Sequence, residues 1–304
     1  MRAPLVCAGW FIGAAVVLAQ SDLQGVWVSN SATPLQRPPA LAGRTTLTDG
    51  EVAELQKRSQ KLVGDPDNDF LLGDDVFLAA FNDAKRYSNV NATDHTYEMI
   101  PRIFENRTSL ITSPADGRIP PLTKEAQARR PAGPRRRPSG PEDLNPVERC
   151  ITYGVPRVGG NLGAGPYSYY QIFQTRDYVV LFQEAIHEAR IIPLDGRPHL
   201  PSDMHFWQGG SVGHWEGKTL VVDTTNLPLR GAFMGAGPKL HLIEKFTRVS
   251  DKRLDYEATI DDPETWTQPW TVMMPFELRD EKIFEFACHE GNATVMKGML
   301  EGGP

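Results

Sequence analysis

Histidines and carboxylates crowd the second half of this 304-residue chain. Apart from His95, the histidines are His187, His199, His205, His214, His241 and His289. Several have an acid close by in sequence: Glu188 follows His187, Glu216 lies near His214, Glu244 near His241, and Glu290 follows His289. An imidazole beside a carboxylate can serve general acid–base chemistry, and several imidazoles together can hold a metal. The catalytic set this suggests is His187, Glu188, Arg190 and Glu244. His187 would be the base or a metal ligand, Arg190 would hold an anionic group, and Glu188 or Glu244 would be the acid partner. A divalent transition metal would draw its ligands from His187, His199, His205 and His241 on different strands. No H-E-x-x-H, H-x-H or C-x-x-C spacing demands one.

Other chemistries have less support. Ser168, Ser202 and Ser211 lack the strand–turn–helix context of a nucleophile elbow. The Gly-rich stretch from Gly159 to Gly165 leads into a strand rather than a helix, which suits a loop over a barrel mouth better than a phosphate cradle. Aromatic residues lie near the expected strand ends. Tyr170, Trp207 and Trp215, with His241, are the candidate ligand-binding residues, since flat aromatic faces bind sugars and aromatic compounds alike.

Composition narrows the classes. The net charge is −6, with 40% hydrophobic and 23% charged residues, so the chain reads as globular and lacks the basic surface that non-specific nucleic-acid binding requires. Residues 1–19 read as a signal peptide: Arg2, an apolar run from Leu5 to Leu18, and Val17-Leu18-Ala19 before a mature start near Gln20. The run is short for a membrane span. Export to the periplasm or beyond is the expectation, with no integral membrane segment after cleavage. Cleavage removes Cys7 and leaves Cys150 and Cys288, an even pair that reads as a disulfide in an oxidising compartment. The alternatives are two buried thiols, or metal ligands with His289 beside one of them.

The elements that must position these residues are mostly strands. Residues 20–148 hold a first strand at 22–29, a Pro-rich arm, and short helices. Thr48 and Glu51 form a capping box for a helix reaching about Leu62, with Val52, Leu55 and Leu62 on one side. A second short helix is expected over Val76–Tyr87, and Thr123 caps a third over Lys124–Arg129. The acidic run at 64–75 lacks the ligand spacing of a calcium loop. The Pro-rich basic segment around Arg135-Arg136-Arg137 cannot pack a core and reads as an excursion. Residues 149–304 then carry strand-like runs with tight turns: 167–175, 178–193, 206–215, 219–225, 240–249, 254–261, 269–278 and 283–289. Together these make about nine strands in an antiparallel meander. Such a meander closes into a barrel to remove its exposed edges. The whole forms one mainly β structural domain.

Alternation along a strand sorts the candidates by face. If 178–193 is one strand, His187 shares a face with Val179, Leu181 and Gln183, whereas Glu184, Glu188 and Arg190 share the other. The small apolar neighbours of His187 favour its face as the interior, and the Glu/Arg face stays open as a polar floor for a ligand. On 240–249, His241 and Glu244 must point to opposite sides.

The G-x-W at Gly25 and Trp27 resembles the first-strand motif of lipocalin-like (calycin-type) barrels, in which the tryptophan plugs the barrel base. The stretches DLQGVW, RTSLITSPADGRIPPLT, ERCITYGVPR, IHEARIIPLDGRPH, GHWEGKTLVVDTTN, LIEKFTRV and FACHEGN resemble a large, uncharacterised family of exported bacterial proteins. They cover most of the mature chain. The resemblance implies export and disulfide pairing and carries no chemistry. The function expected is binding of a small organic molecule, aromatic or sugar-like, in the lumen or mouth of the barrel. The alternative is a hydrolase, lyase or isomerase using the same pocket. A third reading has the Arg135 segment grip an acidic polymer.

Overall fold

A computed structural model describes residues 21–63, 74–85, 102–129, 138–156, 164–229 and 233–301. The expected signal peptide, most of the acidic run, the Arg135 segment and most of the Gly159–Gly165 loop lie outside these residues. The fold is mainly β, as expected, with ten strands in one antiparallel sheet. They are β1 (Gly25–Asn30), β2 (Ile111–Ser113), β3 (Ala164–Gln174), β4 (Tyr178–Gln183), β5 (Ala189–Pro193), β6 (Gly210–Glu216), β7 (Thr219–Thr225), β8 (His241–Ser250), β9 (Arg253–Asp261) and β10 (Trp270–Arg279). The order across the sheet is β5-β4-β3-β1-β10-β9-β8-β7-β6, with β2 paired to the early part of β10. Two meanders are thus present, β3–β5 and β6–β10. The first strand of the chain joins them, pairing with β3 on one side and β10 on the other.

The expected closure into a barrel is not made by hydrogen bonds: β5 and β6 are the two ends of the sheet. The two edges nevertheless meet. A Cβ built on Gly213 of β6 would lie 2.7 Å from Ile192 Cγ2 and 3.0 Å from Leu194 Cδ2. Side chains from the β5 edge therefore press on bare β6 backbone, which leaves no room for a larger residue at 213.

Alternation fills the inner face. Leu242 and Phe246 of β8, Leu254, Tyr256, Ala258 and Ile260 of β9, and Trp270, Val272, Met274 and Phe276 of β10 all belong to one buried cluster. Trp27 is fully buried in it, and its indole Nε1 donates to Leu23 O at 2.8 Å. The Arg248 guanidinium sits 5.6 Å from the centroid of that ring. Burying residues of this size contributes about 1.5–3 kcal/mol each.

The helices follow their caps. Helix α1 (Asp49–Val63) starts after Thr48. Thr48 Oγ1 accepts from Glu51 N, and Thr48 N donates back to Glu51 Oε2 at 2.8 Å. Leu55 and Leu62 turn inward, as the sequence predicts, and join α2 (Asp74–Phe81), Leu41, Leu47 and Phe104 in a second small core. Helix α3 (Lys124–Arg129) starts at its predicted cap, with Thr123 Oγ1 accepting from Ala126 N at 3.0 Å.

Two strand expectations fail. The run 178–193 is broken by a 3-10 turn over Ala185–His187, with left-handed backbone at Ile186 (φ 57°) and His187 (φ 40°). The run 283–289 forms no strand. Both edges of β10 are already occupied, by β9 on one side and by β1 and β2 on the other. The chain instead continues as an irregular strap into helix α4 (Asn292–Glu301), which buries no residue. The strap is fixed by the expected disulfide: Cys150 and Cys288 are bonded, with Cα atoms 5.7 Å apart. Among the described residues no helix is long and apolar enough to cross a membrane.

Candidate functional site

Two polar constellations stand out, one inside the sheet and one outside it. The inner one joins β5 to β8. Arg190 Nη1 donates to Glu244 Oε2 at 2.6 Å, and Nη2 donates to Oε1 at 2.9 Å. Tyr256 on β9 adds its hydroxyl to Glu244 Oε1 at 2.8 Å. Arg190 and Glu244 are both buried, at 6% and 2% exposure. Burial opposes the charged guanidinium, but the charge and hydrogen bonds of Glu244 outweigh it and raise the arginine above its ordinary pKa. Burial, then the Glu244 charge, pushes the Tyr256 hydroxyl well up. Around this pair Tyr170, Phe276 and Tyr256 stack in sequence and Phe246 packs tilted on Tyr256, with ring centroids 5.6, 5.4 and 4.9 Å apart. The cavity left between them is about 10 Å³. That is room for about one water, whereas a pocket for an organic molecule needs roughly 300 Å³ or more.

The outer constellation is built on Asp223 of β7. Its neighbours Val222 and Thr224 point inward and are buried, so Asp223 points out. Asp223 pairs with Ile243 across to β8, which makes His241 its diagonal neighbour on the same face. His241 Nε2 lies 2.8 Å from Asp223 Oδ1, and His199 Nε2 lies 3.0 Å from the same oxygen. His199 comes from residues 194–209, the connection between β5 and β6. That connection is anchored by Asn226, which follows β7 in the left-handed conformation (φ 58°) that asparagine tolerates. The Asn226 amide donates to Pro201 O at 2.7 Å and Met204 O at 2.8 Å. Phe206 N donates to Asn226 O, and His205 Nδ1 lies 2.8 Å from Leu227 O. The result is an open cleft of about 380 Å³ lined by His199, His205, His241, Ser202, Asn226 and Lys239, with Leu200, Pro238 and Leu240 as its apolar part.

The sequence-derived candidates divide between these places. Arg190 and Glu244 meet, but as each other's partner: Glu244 takes both terminal nitrogens of the guanidinium, and among the described residues only its buried Nε is left without a partner. Tyr170 lines the small inner cavity. His187 is exposed at the β4–β5 turn, not interior. The turn shifts the alternation by one residue, so Val179, Leu181 and Gln183 of β4 point in together with Arg190 and Ile192 of β5. Glu188 is used structurally, its Oε2 accepting from Tyr153 N at 3.0 Å. Trp215 packs against the main core, and Trp207 is exposed in the loop before β6. His241 lines the outer cleft and Glu244 points inside, the opposition that alternation predicts. Ser211 falls in Gly209-Gly210-Ser211-Val212-Gly213, which has the letters G-x-S-x-G. It lies within β6, however, with its hydroxyl 2.9 Å from Thr224 Oγ1, and no helix follows, so it is not a nucleophile elbow.

Asp223 and Asn226 were not singled out by sequence reasoning. The acid is distant in sequence from both imidazoles it serves, and its only signal is its outward position in the alternation of Val222, Asp223 and Thr224. Asn226 carried the signal of a turn residue at a strand end. Among the described residues, no group of three or more His, Cys, Asp or Glu side chains is arranged to hold a metal. Comparison of the chain with protein-family models, curated proteins and solved structures finds no match.

Proposed function

We propose that this chain is an exported protein that binds a small organic molecule in the outer cleft at the rim of the sheet. The cleft carries the reading. It has the volume of a small-molecule site and mixes apolar walls with convergent polar groups, whereas the interior has space for about one water. Export draws support from the signal-like residues 1–19, the Cys150–Cys288 bond and the resemblance to an exported bacterial family. A lipocalin-like barrel draws support from the buried Trp27 and the contact of the β5 and β6 edges at Gly213, with the seam packed rather than hydrogen-bonded.

The test is a ligand-observed NMR screen of a fragment library, followed by mapping of hits on labelled protein. Hits should move the signals of His199, His241 and Asn226. Hits that perturb only Tyr170, Tyr256 and Phe276 would overturn the choice of the cleft. The shared carboxylate favours one second reading, acid–base catalysis in the same cleft with Asp223 orienting an imidazole. For that reading, an Asp223→Asn variant should lose a turnover detected in a hydrolase or lyase substrate panel, and unchanged turnover would dismiss it.

A further inference from the structure

We infer that the interior binds one water molecule, which joins Gln183 on β4 to Arg190 on β5. This site lies inside the sheet and does not depend on the reading of the outer cleft. The break in 178–193 brings the two residues together. Leu181 pairs with Arg190 across the β4–β5 ladder, so Gln183, two residues beyond Leu181, is the diagonal neighbour of Arg190 on the same inward face. Gln183 is 1% exposed and Arg190 6%.

Each residue brings one unmet hydrogen bond. Glu244 takes Nη1 and Nη2 of the guanidinium. Arg190 Nε and Gln183 Oε1 are buried and have no partner among the described residues. One is a donor and the other an acceptor, yet they do not bond to each other. Leaving both unmet is costly. Both residues line the cavity of about 10 Å³, together with Glu244, Tyr170 and Tyr256. That volume suits about one water, which needs roughly two to four polar partners when buried.

The donor and acceptor together select water over an ion of similar size. An anion such as chloride could accept from Arg190 Nε, but it would also meet Gln183 Oε1 and the Glu244 carboxylate, which only accept. A cation would suit those oxygens but not the guanidinium. Water donates and accepts, so it satisfies both sides. The orientation of the Gln183 amide decides between water and anion. Turned over, the amide would present a second donor and suit an anion. The bridge also has a structural consequence. Arg190 stands on β5, an edge strand with no ladder partner toward β6. The water ties β4 into the polar network that already joins β5 to β8 and β9.

The test is a crystal structure of the full chain at a resolution that shows ordered water, from crystals grown with bromide as the only halide. The expected result is one density peak about 2.7–3.2 Å from both Arg190 Nε and Gln183 Oε1, with no anomalous signal from bromide. An anomalous peak there would overturn the inference in favour of an anion. So would the absence of any peak, or direct contact of Gln183 Oε1 with Arg190 Nε. In solution, the methyl groups of Val155 and Leu181, which line the same cavity, should show cross-relaxation with water, with the sign of a molecule that tumbles with the protein. Gln183→Met keeps the side-chain length and removes the amide oxygen, and it should abolish those cross-peaks. Cross-peaks that survive in the variant would overturn the bridge. If the variant does not fold, the density in the unaltered protein decides alone.

Discussion

Glu244 and Asp223 stand on adjacent strands, β8 and β7, and each carboxylate faces two side chains. Glu244 meets Arg190 and Tyr256 inside the sheet, and Asp223 meets His199 and His241 outside it. The chemistry is similar but the surroundings are not. Glu244 is 2% exposed and Asp223 33%. In the low-dielectric interior a charge must be fully matched, so its partners are fixed and it does structural work. At the half-exposed site the partners remain open to solvent, and a third molecule can join. The difference teaches that titratable residues gathered in sequence need sorting by face before they are given chemical roles. Arg190 and Glu244 are both catalytic candidates by residue type, and they are the ones locked away.

The largest effect should come from breaking the inner pair. Glu244→Ala leaves Arg190 charged and buried, and should cost about 3–5 kcal/mol in urea unfolding. The double change Arg190→Met with Glu244→Leu should recover most of that loss, because no bare charge remains. A cost below about 1 kcal/mol for the single change would mean that the pair is wetter than its burial indicates.

Next in size is Asn226→Ala. It removes the amide that holds residues 200–204 and places alanine in left-handed backbone, at a cost of about 1–3 kcal/mol. The His205 and His199 signals should broaden or split as the connection loosens, and unchanged ring signals would show that the loop holds itself. Asp223→Ala should cost less than about 1 kcal/mol in stability, since its contacts are half-exposed. It should nevertheless free the His241 ring from its hydrogen bond, visible as a shift of its ring nitrogens by NMR. If it destabilises the fold as much as Glu244→Ala does, the contrast between the two carboxylates collapses.

The smallest effect belongs to a third shared carboxylate, this one exposed. Glu51 is held down to about 2, chiefly by hydrogen bonding to Arg44 and then by Thr48. Its folded pKa lies below the ordinary glutamate value of about 4.3. Its contribution is thus complete above that value and is lost as pH falls through about 2. Amide exchange in the first turn of α1 should quicken over that window, and Glu51→Gln should abolish the pH dependence.

Much of the frame was legible in the sequence because it rests on local chemistry. Thr48 and Thr123 mark the starts of α1 and α3 through bonds that span only three residues. The strands from β6 to β10 follow from alternation, with tight turns inside the β6–β7 and β8–β9 hairpins. What escaped depended on distant pairing. Nothing around Glu184 to His187 announces the left-handed residues that break 178–193, and that break alone moved His187 out and Arg190 in. The expected strand at 283–289 had suitable residues but no vacant neighbour, because β1 had already claimed the edge of β10. Asp223 gained its two imidazoles only through sheet register and the path of a sixteen-residue connection, 194–209.

The place of β1 also governs how the molecule comes together in time. One neighbour of this strand, β3, follows about 140 residues later and the other, β10, about 250 residues later. Neither meander can be stitched to the other until β10 exists. Contacts this distant in sequence slow folding. A growing chain that stops short of β10 can close the hairpins on either side but keeps the middle of its sheet unmade.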